Sequence, residues 1–379
     1  MQQFDRQKIH RFPLQTRISK SSIDKIAILP DSPCPDISQE LDTKLQQIAQ
    51  KIIQAKKNKK SIVLTYGAHL IKNGLGPLLA SMIENQWITH LATNGAGTIH
   101  DWEFAFQGKT EEDVRHYLSQ GQFGIWEETT AYINLAILLS AAQGEGYGEA
   151  IGKMISQDGL DFSIAENLEK QLSLNTKNAV GIYNLLQTMK QYQIQPKKIN
   201  ILHPWKKYSL CFSAYKNNVP LTVHPGFGYD IIYTHHYSNG AAIGITAEID
   251  FLRYVQALTN LENGVFLSIG SAIMSPMIFE KGLSMVRNVA HQKNKSIENF
   301  SLIINDIQEG EWNWGSEKEP PKNDPAYFLR FCKSFDRAHA KEMKYICLDN
   351  RLFLQTLYKH LQKEDPLPQI SMTSYEKTE

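Results

Sequence analysis

The chain has 379 residues and is 42% hydrophobic, enough for one large core and within the size of a single doubly wound unit. Its 40 basic and 39 acidic residues nearly cancel, which argues against nucleic acid or an anionic membrane surface as a partner. Four scattered cysteines (Cys34, Cys211, Cys332, Cys347) show no metal-ligand spacing, the opening segment is polar, and the longest apolar run, near 135–142, is too short to span a bilayer, so a cytoplasmic chain with free thiols is expected.

In chain order, residues 1–36 read as an N-terminal arm, whose first 25 or so residues would order on a partner subunit. A single domain then covers 37–363, and 364–379 reads as a tail. Leu41, Leu45, Ile48 and Ile52, spaced three to four apart, predict a helix, and Lys56, Lys57, Lys59 and Lys60 read as its solvated end. Short apolar runs rich in β-branched residues predict buried strands at 61–66 and 88–93, with a helix over 78–83 between them. From about 111 to 193 the rhythm breaks. Helical patterns at 114–118, 133–139 and 180–189, punctuated by Gly144, Gly146 and Gly148, predict an inserted helical layer without a strand. Strand patterns resume at 199–203, 221–224, 265–269, 301–305 and 345–348, with helices over 249–258, 277–289 and 353–361. Strands alternating with helices imply a doubly wound, mostly parallel α/β sheet with a helical insertion.

The predicted strands end in small or polar residues: Gly67-Ala68-His69, Thr93-Asn94-Gly95-Ala96-Gly97, His203, His224-Pro225-Gly226, Gly270-Ser271-Ala272, Asn305-Asp306 and Asp349-Asn350. Ligands of open parallel sheets bind beyond the carboxyl ends of the strands, so this repetition describes a cleft, although turn chemistry alone favours the same residues. The turns at Asn94 and Gly270 would let backbone approach a phosphate. The segment 224–236 places Asp230 between a Gly-rich turn and an apolar run, with His235 and His236 following. They read either as cleft-lining groups or as a capping Asp with two hydrogen-bonded histidines.

Glu309, Glu311, Trp312 and Trp314 put carboxylates beside aromatic faces, a combination that suits an ammonium substrate or simply a packed surface loop. The aromatic run Tyr327, Phe328, Leu329, Phe331 leads to Lys333, which an apolar wall could turn into a nucleophilic amine.

Taken in order, these segments resemble the deoxyhypusine synthase family, NAD-dependent enzymes that move an aminobutyl group from spermidine onto an amine. The resemblance covers roughly 61–101 and 219–361. Residues 68–74 look like the family's first nucleotide turn and 93–101 like its second, where Asp101 matches an acid. Asp230 falls on the closing Asp of the Asp-Gly-Ser-Leu-Gly-Asp motif, and His235, Tyr237 and Asn239 continue the match. Gly270, Ser271 and Ala272 stand on a triple-glycine turn, and Asn305 and Glu309 on the Asn-Thr-Ala-Gln-Glu strand. Residues 325–333 resemble the helix with the nucleophilic lysine, Phe331 replacing its Trp and Lys333 retained. Asp349 matches a cofactor-binding carboxylate, while Pro276 and Tyr327 stand where the family has a catalytic His and a substrate-binding Glu.

The resemblance implies a Rossmann-like, homotetrameric transferase with NAD as cofactor and a small amine or polyamine as substrate. Ala68, His69, Thr93, Asn94, Gly95, Gly97, Asp101, Gly270, Ser271, Ala272 and Asp349 would hold the nucleotide. Asp230, His235, Glu309, Glu311, Trp312, Trp314, Tyr327 and Phe331 would face the substrate, and Lys333 would capture the aminoalkyl fragment as an imine. Two alternatives stand beside it: a metal-dependent hydrolase using His224, Asp230, His235 and His236, and a non-catalytic nucleotide-binding relative.

Overall fold

The computed structural model describes residues 1–172, 178–310, 312–314, 316 and 318–366. Six runs form one all-parallel sheet: β1 (Ile62–Tyr66), β2 (His90–Thr93), β3 (Leu221–Val223), β4 (Val265–Ile269), β5 (Ser301–Asp306) and β6 (Glu342–Cys347). They lie in the order β6-β5-β4-β1-β2-β3, so the chain winds outward from β1 in one direction and then, after β3, in the other. This is the doubly wound arrangement, with its topological switch between β1 and β4.

Besides four short helices (Ile23–Ile26, His69–Lys72, Val114–Ser119 and Ala165–Leu172), the helices are α1 (Gln39–Lys57), α2 (Gly76–Glu84), α3 (Gly95–Gln107), α4 (Glu127–Gln143), α5 (Tyr147–Ser156), α6 (Ala179–Tyr192), α7 (Leu210–Lys216), α8 (Gly240–Leu258), α9 (Met274–His291), α10 (Arg330–Asp336) and α11 (Asn350–Glu364). Side chains alternate across each strand, and both faces are apolar because helices cover both. Ile62, Leu64, Val265 and Leu267 join Leu45 and Ile48 of α1, Leu79 of α2 and Leu357 of α11 in one core. Val63, Phe266, Leu302 and Ile304 join Leu258 of α8, Phe279 of α9 and Phe335 of α10 in the other. Helix α1 shows why it forms: Ser38 accepts from the Leu41 N–H, Glu40 and Asp42 sit in the first turn, and Lys56 and Lys57 end it.

Between α3 and α7 lies the inserted layer, where α4 is buried along most of its length by α5, α6 and α8. One carboxylate ties this layer to the sheet edge. Asp250 Oδ2 of α8 accepts from Gly148 N of α5 (2.9 Å) and from Val223 N of β3 (2.8 Å), so the edge strand does not present that donor to solvent.

Two expectations are corrected. The run at 199–203 is not a sheet strand: Lys198–Asn200 pairs antiparallel with Gly159–Asp161, a short strand inside the insertion that the sequence pattern missed. Lys198 and Asn200 are exposed, so the run lacks the two buried faces a sheet strand needs, and His203 packs instead against Trp102 and Phe106. The N-terminal segment does not wait for a partner subunit. Leu14 and Ile23 are buried in this chain's own core, and Arg17 pairs with Glu103 of α3. No described helix is long and apolar enough to cross a membrane.

Candidate functional site

At the switch point the backbones of β1 and β4 converge as they leave the sheet. The Gly67 N–H donates to the Ile269 carbonyl (3.2 Å). A Cβ on Gly67 would lie 2.0 Å from the Gly270 carbonyl oxygen, and Gly270 itself has φ +56°, so neither position accepts a side chain without strain. The Gly270 N–H donates to the Asn305 carbonyl (2.9 Å), and Ser271 Oγ accepts from Ser275 N in the first turn of α9 (3.2 Å). Asn350, at the start of α11, lies against Gly270. The Oδ1 atoms of Asn305 and Asn350 are buried without a hydrogen-bond partner among the described residues. Around this turn Ala68 and Ala272 are half-buried and His69 is exposed.

Next to it, β2 feeds α3 through a second tight turn. Thr93 Oγ1 donates to the Tyr66 carbonyl (3.0 Å), and Asn94 Oδ1 caps α3 by accepting from Gly97 N (3.0 Å). A Cβ on Gly97 would meet Thr93 Oγ1 at 2.2 Å, and one on Gly95 would meet Asp230 Oδ2 at 2.1 Å. Asp230 thus sits over the first turn of α3 and accepts from Ala96 N–H. Burial outweighs that bond and pushes its carboxyl up to about 6. Its Oδ2 and the Tyr233 hydroxyl are buried and have no partner among the described residues, while the hydroxyl of Tyr147, the first residue of α5, is buried against Thr98. Burial first, and then the Asp230 charge, push both phenols up, Tyr233 to about 12. Asp230 thus brings a carboxylate with a raised pKa beside two buried phenols, and its own Oδ2 and the Tyr233 hydroxyl have no hydrogen-bond partner among the described residues.

The other sequence candidates separate from this pair of turns. Asp101 faces away from the crevice: it accepts from Ser209 Oγ (2.5 Å), Leu210 N (2.7 Å) and Cys211 N (3.1 Å), capping α7, so its oxygens are spent on structure. Asp349, beyond edge strand β6, caps α11 and pairs with Arg351 at 3.0 Å. His235 Nε2 lies 3.4 Å from Glu127 Oε1 while its Nδ1 accepts from Tyr237 N; His236 stacks on its ring. His224 bonds Thr222, and burial lowers it to about 3. These imidazoles and Asp230 do not converge, and no group of three or more His, Cys, Asp or Glu among the described residues could hold a metal. The ligand set of the hydrolase alternative is therefore not formed.

Lys333 Nζ lies 3.2 Å from Glu319 Oε2 and 3.8 Å over the Tyr327 ring, with 13% of its side chain exposed. Its wall is thus Tyr327 and an acid, not an apolar pocket. Phe331 packs into the second core near Tyr345. Trp312 and Trp314 lie beside α1 and Tyr345 along the free side of β6, and Glu309 is exposed beyond β5; Glu311 lies outside the described residues. The acids and aromatics of 309–333 gather on the β5 and β6 side of the sheet, whereas Asp230 belongs to the β2 and β3 side. The sequence pattern places Gly67 and Asn350 at strand ends of the cleft without a binding role of their own, and Tyr147 and Tyr233 carry no signal in it.

No family model matches the chain, and no curated protein does. Solved structures similar to it include ArgZ, an arginine dihydrolase from the ornithine-ammonia cycle in cyanobacteria, at 16% identity over 86% of this chain with a TM-score of 0.42. A conserved LOR/SDH protein from Methanococcus maripaludis is similar at 13% identity over 89% of this chain and 74% of its own, TM-score 0.44. AgrE, in a ternary complex with ornithine and NAD+, is similar at 16% identity over 87% of this chain, TM-score 0.43. The chain spans 33% of ArgZ and 34% of AgrE, about a third of each. None of these three is a deoxyhypusine synthase.

Proposed function

We propose that this chain binds a nicotinamide dinucleotide at the β1/β4 switch point and oxidises a small amine held by Asp230. The observation that carries the reading is the backbone approach of Gly67 and Gly270 at the switch point of a doubly wound parallel sheet. A pyrophosphate would lie beyond these turns, where no side chain of Gly67 or Gly270 projects, and the Oδ1 atoms of Asn305 and Asn350, buried and without a partner among the described residues, would accept from ribose hydroxyls. When bound, the dinucleotide supplies a hydride acceptor.

Asp230 supplies the proton chemistry. With a pKa raised to about 6 it is mostly ionised at neutral pH, so it would pair with a substrate ammonium and could accept the proton that amine oxidation to an imine releases. Its Oδ2 and the Tyr233 hydroxyl offer acceptors for the N–H groups of a primary amine, as in an amino acid, diamine or polyamine. Aminoalkyl transfer would further require Lys333 to leave Glu319 and reach that amine. The proposal therefore stops at oxidation, with transfer as one outcome of the test.

The test is a titration of the purified chain with NAD+ and NADH, followed by a panel of amino acids, diamines and polyamines with NADH formation as readout. Asp230→Asn is expected to retain dinucleotide binding and to lose turnover by on the order of 10²–10⁴-fold. Absence of binding by any nicotinamide dinucleotide would sink the proposal.

A further inference from the structure

The loop that carries Asp230 has little secondary structure of its own beyond the helical turn Ile231–Thr234, yet it must hold a buried carboxylate over α3. Its anchors come from elsewhere. Asn134 Nδ2 of α4 donates to the Ile232 carbonyl (2.8 Å), and Thr234 Oγ1 donates to the Gly124 carbonyl (3.0 Å). The farthest anchor in sequence is Arg6: its Nη1 donates to the Tyr233 carbonyl (3.2 Å) and its Nη2 to the Ser238 carbonyl (3.1 Å).

Arg6 is itself held in place. Arg11 Nη2 donates back to the Arg6 carbonyl (3.0 Å), and Arg11 Nε lies 4.0 Å from Glu127, the carboxylate that also meets His235 at 3.4 Å. The Phe12 N–H donates to the Ile125 carbonyl and the Phe12 carbonyl accepts from Glu127 N, while Leu14 N donates to Glu128 Oε2 at 2.6 Å. Arg17 then closes on Glu103 of α3, the helix whose first turn bears Gly95 and Ala96. Residues 6–17 therefore touch each element that meets at Asp230 except α5.

We infer that residues 6–17 are a strap that positions the Asp230 loop, with Arg6 as its positioning residue through the two carbonyls it bridges. The inference deepens the Asp230 assignment and rests on it for its functional meaning. Its physical content is independent: without Arg6 the turn 231–238 loosens, water reaches Asp230, and the cost of ionising the carboxyl falls. The groups facing Asp230 are Tyr147 of α5, Tyr233 of its own loop and the Ala96 N–H of α3; replacing Arg6 changes the ionisable chemistry of none of them and releases only the Tyr233 backbone.

The experiment follows Asp230 directly, by carboxyl-carbon NMR of ¹³C-aspartate-labelled full chain, with Asp230→Asn identifying the resonance. In the unaltered chain the midpoint is expected near 6. In Arg6→Ala it should fall toward the ordinary carboxylate value of about 4, and Arg6→Lys, which can reach one carbonyl, should restore part of the shift. An unchanged midpoint in a folded Arg6→Ala chain overturns the strap. Should Arg6→Ala fail to fold, native-state hydrogen exchange of the unaltered chain decides. Amides of 9–14 and 231–238 opening together support the strap, and a freely exchanging N-terminal segment beside a protected loop overturns it. Dinucleotide binding is measured in the same samples. Its absence from the unaltered chain would remove the oxidation reading while leaving the strap standing.

Discussion

Gly67 and Gly270 face each other across the β1/β4 boundary with no space for a side chain: a Cβ on Gly67 would stand 2.0 Å from the Gly270 carbonyl oxygen. The obstacle is backbone and cannot rotate away. Gly67→Ala should therefore cost about 1–3 kcal/mol in a denaturant titration and should weaken dinucleotide binding, because the crevice must widen to admit the methyl group. Gly244→Ala is the control. It lies in the middle of α8, its Cβ would meet nothing, and the substitution should stabilise the chain by about 0.5–1 kcal/mol.

Arg17 and Glu103 form a two-pronged pair at 2.8 and 2.7 Å, with 2% and 1% of their side chains exposed. Removing one partner strands a buried charge, so Arg17→Ala should destabilise by about 3–5 kcal/mol. Arg17→Met combined with Glu103→Gln should lose less than Arg17→Ala alone. Chemical denaturation of the single and double variants measures the difference, and equal losses would mean that packing rather than charge holds the segment.

Asp250 gives the chain a pH-dependent stability of definite sign. Burial pushes its carboxyl up to about 7, and although Gly148 N and Val223 N bond Oδ2, Oδ1 has no partner. Between the unfolded value of about 4 and the folded value near 7, the folded chain holds a proton that the unfolded chain has released. The contribution is thus full at the acid end of that window and is lost as pH rises through it. Asp250→Asn, which cannot ionise and can keep both accepted bonds, should flatten this slope. Thermal melts between those two pH values compare the pair, and parallel slopes would exclude Asp250 as the source.

Lys333 sits against Glu319 and Tyr327, a partly exposed ion pair with a cation–π contact. Lys333→Ala should lose about 1 kcal/mol of stability and leave dinucleotide binding unchanged. Borohydride trapping with NAD and polyamines should give no adduct at this residue. An adduct mapped to Lys333 would reinstate aminoalkyl transfer.

Much of the architecture was legible from local pattern. The apolar runs now seen as β1, β2, β4 and β5 needed no tertiary information, because a strand covered on both faces must be apolar at every position. The turns at Gly67, Asn94 and Gly270 could be read as one edge of a sheet for the same reason. The run at 199–203 failed because its apolar residues do not all share the core: Ile201 and His203 are buried while Leu202 is exposed, as in a ribbon covered on one face only.

What the residue order could not contain is who stands beside whom. Asp101 and Asp230 are both acids near glycine turns, yet one is consumed by three donors of α7 and the other keeps an oxygen free over α3. Lys333 kept its place in a motif-like helix but folds onto Glu319. Arg6 reaches Tyr233 across 227 residues, a contact with no local signature. Chain pattern dictates whether a residue is buried and in which element, since burial and periodicity are local consequences of hydrophobicity. The crossovers that set strand order dictate its neighbours, and the neighbours decide whether a carboxylate is a cap, an ion-pair partner or a free base.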